Sequence, residues 1–183
     1  MRRVRVSLLA VLCLGLAFTS FAQSKHVIQN AKDAKWGPAP PMLPPGAQIA
    51  VLAGDPSKVV PYTVRLKFPA NYEIPAHSHP GDENVAVVSG ELFMGMGTRL
   101  DRKTGMGLGV GGYALMPANT NHFAYTKSET TILLYGVGPV DFKYVNPNDD
   151  PRTRTSTRRT PIDGTGRTLI ELGLGIRDQG LRN

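Results

Sequence analysis

NYEIPAHSHPGDENVAVVSG, residues 71–90, is the most informative segment of the chain. His77 and His79 follow an extended run, and side chains two positions apart on a β-strand point to the same face. The two imidazoles are therefore expected to lie close enough to bind one ion. Pro80-Gly81-Asp82 predicts a turn, after which Glu83 begins a second strand and can fold back beside them.

A third histidine has a similar setting further along the chain. His122 begins a predicted strand, after a short apolar strand at Tyr113–Met116 and a turn at 117–121. Three imidazoles and one carboxylate, without a thiolate, favour a divalent first-row transition ion over a soft metal or an iron–sulfur cluster. The fourth histidine of the chain, His26, is expected near the mature N-terminus and in solvent. The predicted metal ligands are His77, His79, Glu83 and His122.

These residues resemble the two sequence motifs of the cupin superfamily. The first motif, G(X)5HXH(X)3–4E(X)6G, is matched from His77 to Gly90. The second, G(X)5PXG(X)2H(X)3N, is matched at Gly111, Pro117 and His122. The resemblance covers roughly residues 47–146 and implies a single-domain jelly-roll barrel, which commonly pairs as a homodimer.

The chain departs from the two motifs at three positions. Asn71 and Asn119 stand where the motifs have Gly, and Thr126 stands where the second motif has Asn. Asn adopts a left-handed backbone more readily than most residues, so the two changes at turns are mild. The change at Thr126 concerns packing around the site and not a metal ligand.

Composition supports an all-β fold of one domain. The chain has 183 residues, with 20 Gly and 15 Pro between short runs of β-branched and aromatic residues. A strand predicted at 59–68 alternates clearly between apolar and polar positions, which indicates one buried face. Counting such runs gives about eight strands, the number of a small jelly roll. The predicted cupin β-barrel spans 47–149.

Residues 1–22 resemble a secretory signal peptide. A basic segment at 1–5 precedes an apolar run at 8–18 and small residues before Gln23. The alternative is an uncleaved membrane anchor, although the apolar run is short for a membrane span. The protein is therefore expected to be exported, to the periplasm if the source is a Gram-negative bacterium, without stable membrane insertion. Cleavage would remove Cys13, the single cysteine, and with it any disulfide or thiolate chemistry.

The segments flanking the predicted barrel are different in character. Residues 23–46 form a Pro-rich N-terminal arm, in which 36–41 is not expected to form regular structure and Trp36 is expected to pack the arm down. Residues 150–183 hold seven Arg against four acids and few large apolar residues, so we predict a basic, disordered tail. Contact with an anionic membrane is an alternative for this tail. Export argues against a nucleic-acid partner.

The resemblance implies several possible reactions at the predicted centre: dioxygenase, oxalate-type oxidase or decarboxylase, isomerase and lyase. We favour an exported oxidoreductase of dioxygenase type that acts on a small molecule, with Mn or Fe favoured and Zn, Ni or Cu possible. The alternatives are a non-catalytic, metal-dependent ligand-binding or sensor protein and a metal that only stabilises the fold. Candidate assisting groups are Tyr62, Tyr72, Tyr113 and Tyr125.

Two methionines on one face of the strand predicted at 91–98 leave a further question open. Met94 and Met96 could line a pocket near the metal, but methionine on a strand more often fills a core, and we favour that interpretation.

Overall fold

The computed structural model describes residues 26–154 of the chain. The signal peptide predicted at 1–22 and residues 155–183 of the predicted tail lie outside the described residues. Within 26–154 the chain forms two antiparallel sheets that share one hydrophobic core, with only short helical turns. The prediction of an all-β jelly roll is confirmed. None of the helices in the described part is long and apolar enough to cross a membrane.

The strands divide into a six-stranded and a five-stranded sheet, and eight of them are four or more residues long, as the sequence predicted. The first sheet has the order β1-β2-β3-β10-β5-β8, and the second has the order β11-β4-β9-β6-β7. The strands are β1 Gly37–Pro38, β2 Gln48–Gly54, β3 Pro61–Phe68, β4 Glu73–Ser78, β5 Glu83–Ser89, β6 Leu92–Met96, β7 Met106–Leu108, β8 Tyr113–Met116, β9 His122–Thr126, β10 Thr130–Val137 and β11 Lys143–Tyr144. Short helical turns lie at Ala31–Asp33, Pro147–Asp149 and Pro151–Arg154.

Alternation of side chains explains how the sheets build the core. On β3, every second residue from Tyr62 to Phe68 is buried, and those between are half-exposed. The buried side of β3 faces apolar residues of the second sheet, among them Leu92 and Ala124. Since β3 buries only one of its faces, its register with the neighbouring strands is strongly determined.

The two asparagines that replace glycine in the motifs lie at turns, as the sequence predicted. Asn71 and Asn119 both have a left-handed backbone, with φ of 58° and 59°. Gly90 has φ of 75°, and a Cβ at this position would lie 2.4 Å from the carbonyl oxygen of Glu129. Glycine is therefore required at the turn that ends β5.

Two segments are more regular than the sequence suggested. Residues 36–41 were expected to lack regular structure, which is wrong at Gly37–Pro38, because these residues pair with β2 at the edge of the sheet, where proline is tolerated. The glycine-rich composition of 104–112 predicts a flexible loop, but Met106–Leu108 in this insert forms β7, which pairs with β6. The arm packs as expected: Leu43 is buried in the core, and Lys67 Nζ lies 4.6 Å from the centre of the Trp36 ring.

Candidate metal centre

The two sheets bring the four predicted ligands to one place. His77 lies on β4 and is the register partner of His122, the first residue of β9. His79 follows directly after β4. Glu83 is the first residue of β5, which belongs to the other sheet. The candidate centre therefore lies between the sheets, and each element contributes a side chain at the point where a strand begins or ends.

Distances and burial confirm that the four side chains converge. The ring nitrogens that the three histidines can offer lie within 4.8 Å of one another. Glu83 Oε1 lies 3.4 Å from His79 Nε2, and Glu83 Oε2 lies 3.3 Å from His122 Nε2. All four residues are buried. His26, the remaining histidine, is exposed and takes no part.

Backbone carbonyls determine which ring nitrogen carries the proton in each of the three imidazoles. Nδ1 of His77 is 2.7 Å from the carbonyl oxygen of Pro75, Nδ1 of His79 is 2.8 Å from that of Asp141, and Nδ1 of His122 is 3.0 Å from that of Thr120. A carbonyl oxygen only accepts, so each Nδ1 must donate, and a neutral ring then presents a lone pair on Nε2. Metal-bound histidines typically have this arrangement.

Two of the buried Nε2 atoms lack hydrogen-bond partners in the described part of the chain. Nε2 of His79 and Nε2 of His122 have no hydrogen-bond partner among the described residues, although both are fully buried. The carboxylate of Glu83 faces them with lone pairs of its own, which is unfavourable unless a cation lies between. Three such histidines could hold a divalent metal ion.

The electrostatics of the centre favour a neutral His77 beside an anionic carboxylate. Burial, together with the nearby His122 and His79, lowers the pKa of His77 to about 3. For Glu83, burial raises the pKa, but a hydrogen bond from His122 and positive charge on the histidines, both available only when the rings are protonated, outweigh burial and hold the pKa below its usual value. Neutral histidine and ionised glutamate are the forms that bind metals.

Residues next to β11 complete the walls of the centre, and the sequence did not identify them. The ring of Phe142 stacks on His77, with centroids 4.5 Å apart and planes at 19°, and meets His79 edge-on at 4.4 Å. Asp141, the neighbour of Phe142, supplies the carbonyl that orients His79. The sequence of this segment indicates only a short apolar strand. It does not indicate that the strand pairs with β4 and brings Phe142 to His77.

A cavity of about 230 Å³ lies beside the centre. Its walls are mainly apolar, and Glu83 is its single acidic or basic side chain among the described residues. The cavity extends under residues of the N-terminal arm, so the arm forms part of its wall. Other lining residues include Met42, Leu43, Tyr62, Val64, Leu134 and Phe142.

Of the four candidate tyrosines, the structure places only Tyr62 at the cavity. Tyr62 lines the cavity, and its pKa is raised to about 12 by burial and by the charge of Glu83, so its hydroxyl stays protonated. The hydroxyls of the other three donate elsewhere: Tyr72 to the carbonyl of Pro44, Tyr113 to Asn84 Oδ1 at 2.7 Å and Tyr125 to the carbonyl of Arg102 at 3.0 Å. Tyr62 is thus the one of the four that can reach a cavity ligand.

Solved structures with the same fold are described with different activities. A proposed acetylacetone dioxygenase from Methylibium petroleiphilum PM1 is 20% identical, with a TM-score of 0.54 over 71% of this chain and 88% of that chain. The polyketide cyclase RemF from Streptomyces resistomycificus is 15% identical, with a TM-score of 0.55 over 73% of this chain and 95% of that chain. At such identities the similarity shows the fold alone.

Sequence comparison identifies the family. No curated protein sequence matches the chain. The family model of the ChrR cupin-like domain matches residues 24–141, a range that contains all four residues of the candidate centre. Since this match spans more than half of the chain, the protein belongs to the ChrR cupin-like family of the cupin superfamily.

Proposed function

We propose that the protein is a metal-dependent oxidoreductase of dioxygenase type that acts on a small, largely apolar molecule. His77, His79, Glu83 and His122 would hold one divalent first-row ion, with Mn or Fe favoured. The observation that carries the proposal is the apolar cavity that reaches Glu83, since it offers a small molecule a place beside the ion. When bound, the metal supplies Lewis-acid or redox chemistry at an open coordination position.

The residues around the cavity would select and orient the substrate. A volume of about 230 Å³ is below the range of roughly 300–1,000 Å³ typical of pockets for drug-sized ligands. Apolar walls exclude water and favour a compact hydrocarbon body. The hydroxyl of Tyr62, a residue that lines the cavity, stays protonated, so it can donate a hydrogen bond to a polar group of the substrate.

The reaction type is inferred from the donor set and not from the fold. Structures described as a dioxygenase and as a cyclase share this architecture with the protein. One fold commonly hosts unrelated reactions. A neutral nitrogen and hard oxygen donor set is compatible with the redox-active ions Mn and Fe, which is why we place oxygen-using chemistry first.

Metal analysis tests the proposal directly. The mature protein would be purified without chelator or nickel resin, beside the double variant His77→Ala/His79→Ala. Near-stoichiometric Fe or Mn that the variant loses would support the proposal, and oxygen uptake would then be screened with small apolar substrates. Zinc alone would favour a lyase, isomerase or structural role. Absence of metal from both proteins would overturn the proposal.

A second candidate is a binding or sensor protein without turnover. Among the described residues that line the cavity, no acidic or basic side chain besides Glu83 could transfer protons, and this favours binding. Ligands that raise the melting temperature without product formation or oxygen uptake would support this alternative. A ligand that is consumed would contradict it.

Export and pairing of two copies belong to the same proposal. We propose cleavage before Gln23, which N-terminal sequencing of the mature protein tests.

We further propose a homodimer through the outer face of β5 and β8, where Val88, Tyr113 and Leu115 are exposed. Sedimentation should then give twice the chain mass, and Leu115→Glu should shift the protein to the monomer. A monomeric wild-type protein would refute the pairing.

A further inference from the structure

A second cluster of potential metal donors lies away from the histidines. Four of the six methionines of the chain line one open groove of about 400 Å³. They are Met94, Met96, Met106 and Met116. The groove lies between β7 and β8, the strands that form one edge of each sheet. Its position differs from that of the apolar cavity under the N-terminal arm.

Strand register places three of the four side chains, those of Met94, Met96 and Met106, on a common face. Met94 on β6 is the direct partner of Met106 on β7, and Met96 follows two positions after Met94. Residues directly opposite on antiparallel strands have Cβ atoms about 4.5–5.5 Å apart. Met116 approaches from β8 across the groove. Methionine has three rotatable side-chain bonds, so the sulfur atoms can adjust towards one point.

Core filling does not explain this cluster. Met96 and Met106 are 53% and 70% exposed, whereas a core-filling methionine would be buried. The interpretation favoured from sequence therefore holds for Met94, which is buried, but not for Met96. Exposed apolar side chains that lie together often mark a binding site. In this groove the exposed side chains carry thioether sulfur, which can bind a ligand.

The chemistry of the groove is selective. None of the described residues that line it is a His, Cys, Asp or Glu, so thioether sulfur is its main donor. Thioethers are soft and neutral ligands, which favour monovalent copper over Mn, Zn or other divalent ions. Silver, which has the same charge and softness, would bind in the same way.

We propose that Met94, Met96, Met106 and Met116 form a second site, for a soft monovalent ion of the copper(I) type. Two register pairs bring it next to the first centre: Met96 is opposite His122, and Met116 is opposite Glu83. The site does not depend on the activity proposed for the histidine centre.

Competition with a coloured copper(I) chelator tests the proposal. The mature protein is first loaded with zinc, which occupies the imidazoles, and is then titrated without oxygen against the copper(I)–bicinchoninate complex. We expect one equivalent of copper to transfer to the protein, with a sulfur-dominated coordination in X-ray absorption. Failure of copper to transfer, or coordination by nitrogen alone, would overturn the proposal.

Matched variants localise the ion. Met96→Leu/Met106→Leu retains apolar volume at two exposed positions, so the fold should be unaffected. We expect it to weaken copper binding at least tenfold. Met42→Leu, in the other cavity, should leave binding unchanged. Equal binding by the double variant and the wild type would refute the site.

The histidine centre provides the final control. His77→Ala/His79→Ala should still take up copper(I) through sulfur, which would show that the two sites are separate. Loss of sulfur coordination in a folded form of this variant would count against the proposal. Loss of the first centre and loss of the second are thus distinguishable.

Discussion

Replacing Glu83 by Gln should stabilise the metal-free protein and weaken metal binding, two effects of opposite sign. At pH 8.5, above the usual pKa range of imidazole, each histidine of the centre carries its proton on Nδ1, where a carbonyl accepts it. Nε2 of His79 and of His122 then face the carboxylate oxygens of Glu83 at 3.4 and 3.3 Å, acceptor against acceptor.

The size of the first effect follows from counting donors. Gln places an NH₂ group where one carboxylate oxygen was, so it can donate to Nε2 of one histidine, while its oxygen faces the other. A buried polar group without a partner costs about 1–3 kcal/mol. The free energy of unfolding of the metal-free Glu83→Gln protein should therefore exceed that of the wild type by about 1–3 kcal/mol. Removal of a buried charge acts in the same direction.

The second effect follows from the loss of an anionic ligand. A metal at 100 times its dissociation constant stabilises the wild type by about 2.7 kcal/mol. If Glu83→Gln weakens affinity tenfold, the same metal concentration stabilises the variant by about 1.4 kcal/mol. The stabilisation due to metal should thus fall by about half or more.

Urea unfolding followed by circular dichroism measures both effects. Protein dialysed against EDTA is compared with protein in Mn(II) under nitrogen, and equal m-values confirm that the same surface unfolds. Glu129→Gln, an exposed glutamate between β9 and β10, serves as the control and should change neither quantity. The reasoning is refuted if metal-free Glu83→Gln is the less stable protein. If metal stabilises both proteins equally, Glu83 is not a ligand.

Three further outcomes are expected. Thr126→Val should lower the free energy of unfolding by about 1–3 kcal/mol in urea, because Thr126 Oγ1 accepts from the buried N–H of Tyr72 at 3.0 Å; Thr126→Ser should lose much less, and equal losses would contradict this. Arg152→Ala should weaken metal affinity in isothermal titration, because Arg152 donates to Asp141 Oδ1 at 2.8 Å and the carbonyl of Asp141 orients His79. The loss of stability should be small, because the side chain of Arg152 is 38% exposed. Unchanged metal affinity would show that Arg152 is not a positioning residue. Tyr62→Phe should keep the metal content and reduce ligand affinity roughly 2–10-fold, and an unchanged affinity would show that its hydroxyl does not contact the ligand.

The placement of His77, His79 and Glu83 could be predicted from sequence because its geometry is local, whereas His122 was placed with them through its resemblance to the second cupin motif. A two-residue period places His77 and His79 on one face, and a tight turn returns Glu83 to them. The same holds for the left-handed turns at Asn71 and Asn119, where the residue type itself indicates the backbone. Each of these features depends on a few neighbouring residues.

Features set by distant pairing could not be predicted. Phe142 reaches His77 because β11 pairs with β4, a contact between segments far apart in the chain. The single glycine of β7 gave the wrong signal, since Gly107 indicated flexibility but instead permits close packing: a Cβ there would lie 3.0 Å from the ring of Phe93. A single sequence shows where glycine occurs, but not what approaches it.

The two proposed sites lie close together, so what would keep their ions apart is donor chemistry and not distance. The histidine centre combines neutral nitrogen with the anionic Glu83, which suits a divalent ion and gives little advantage to a soft monovalent one. The methionine groove has no described anionic lining residue, so a divalent ion there would lose its hydration without compensation. Each site would therefore reject the ion of the other. Zinc loading before the copper titration should leave copper uptake unchanged, and displacement of zinc by copper(I) would show that this selectivity is absent.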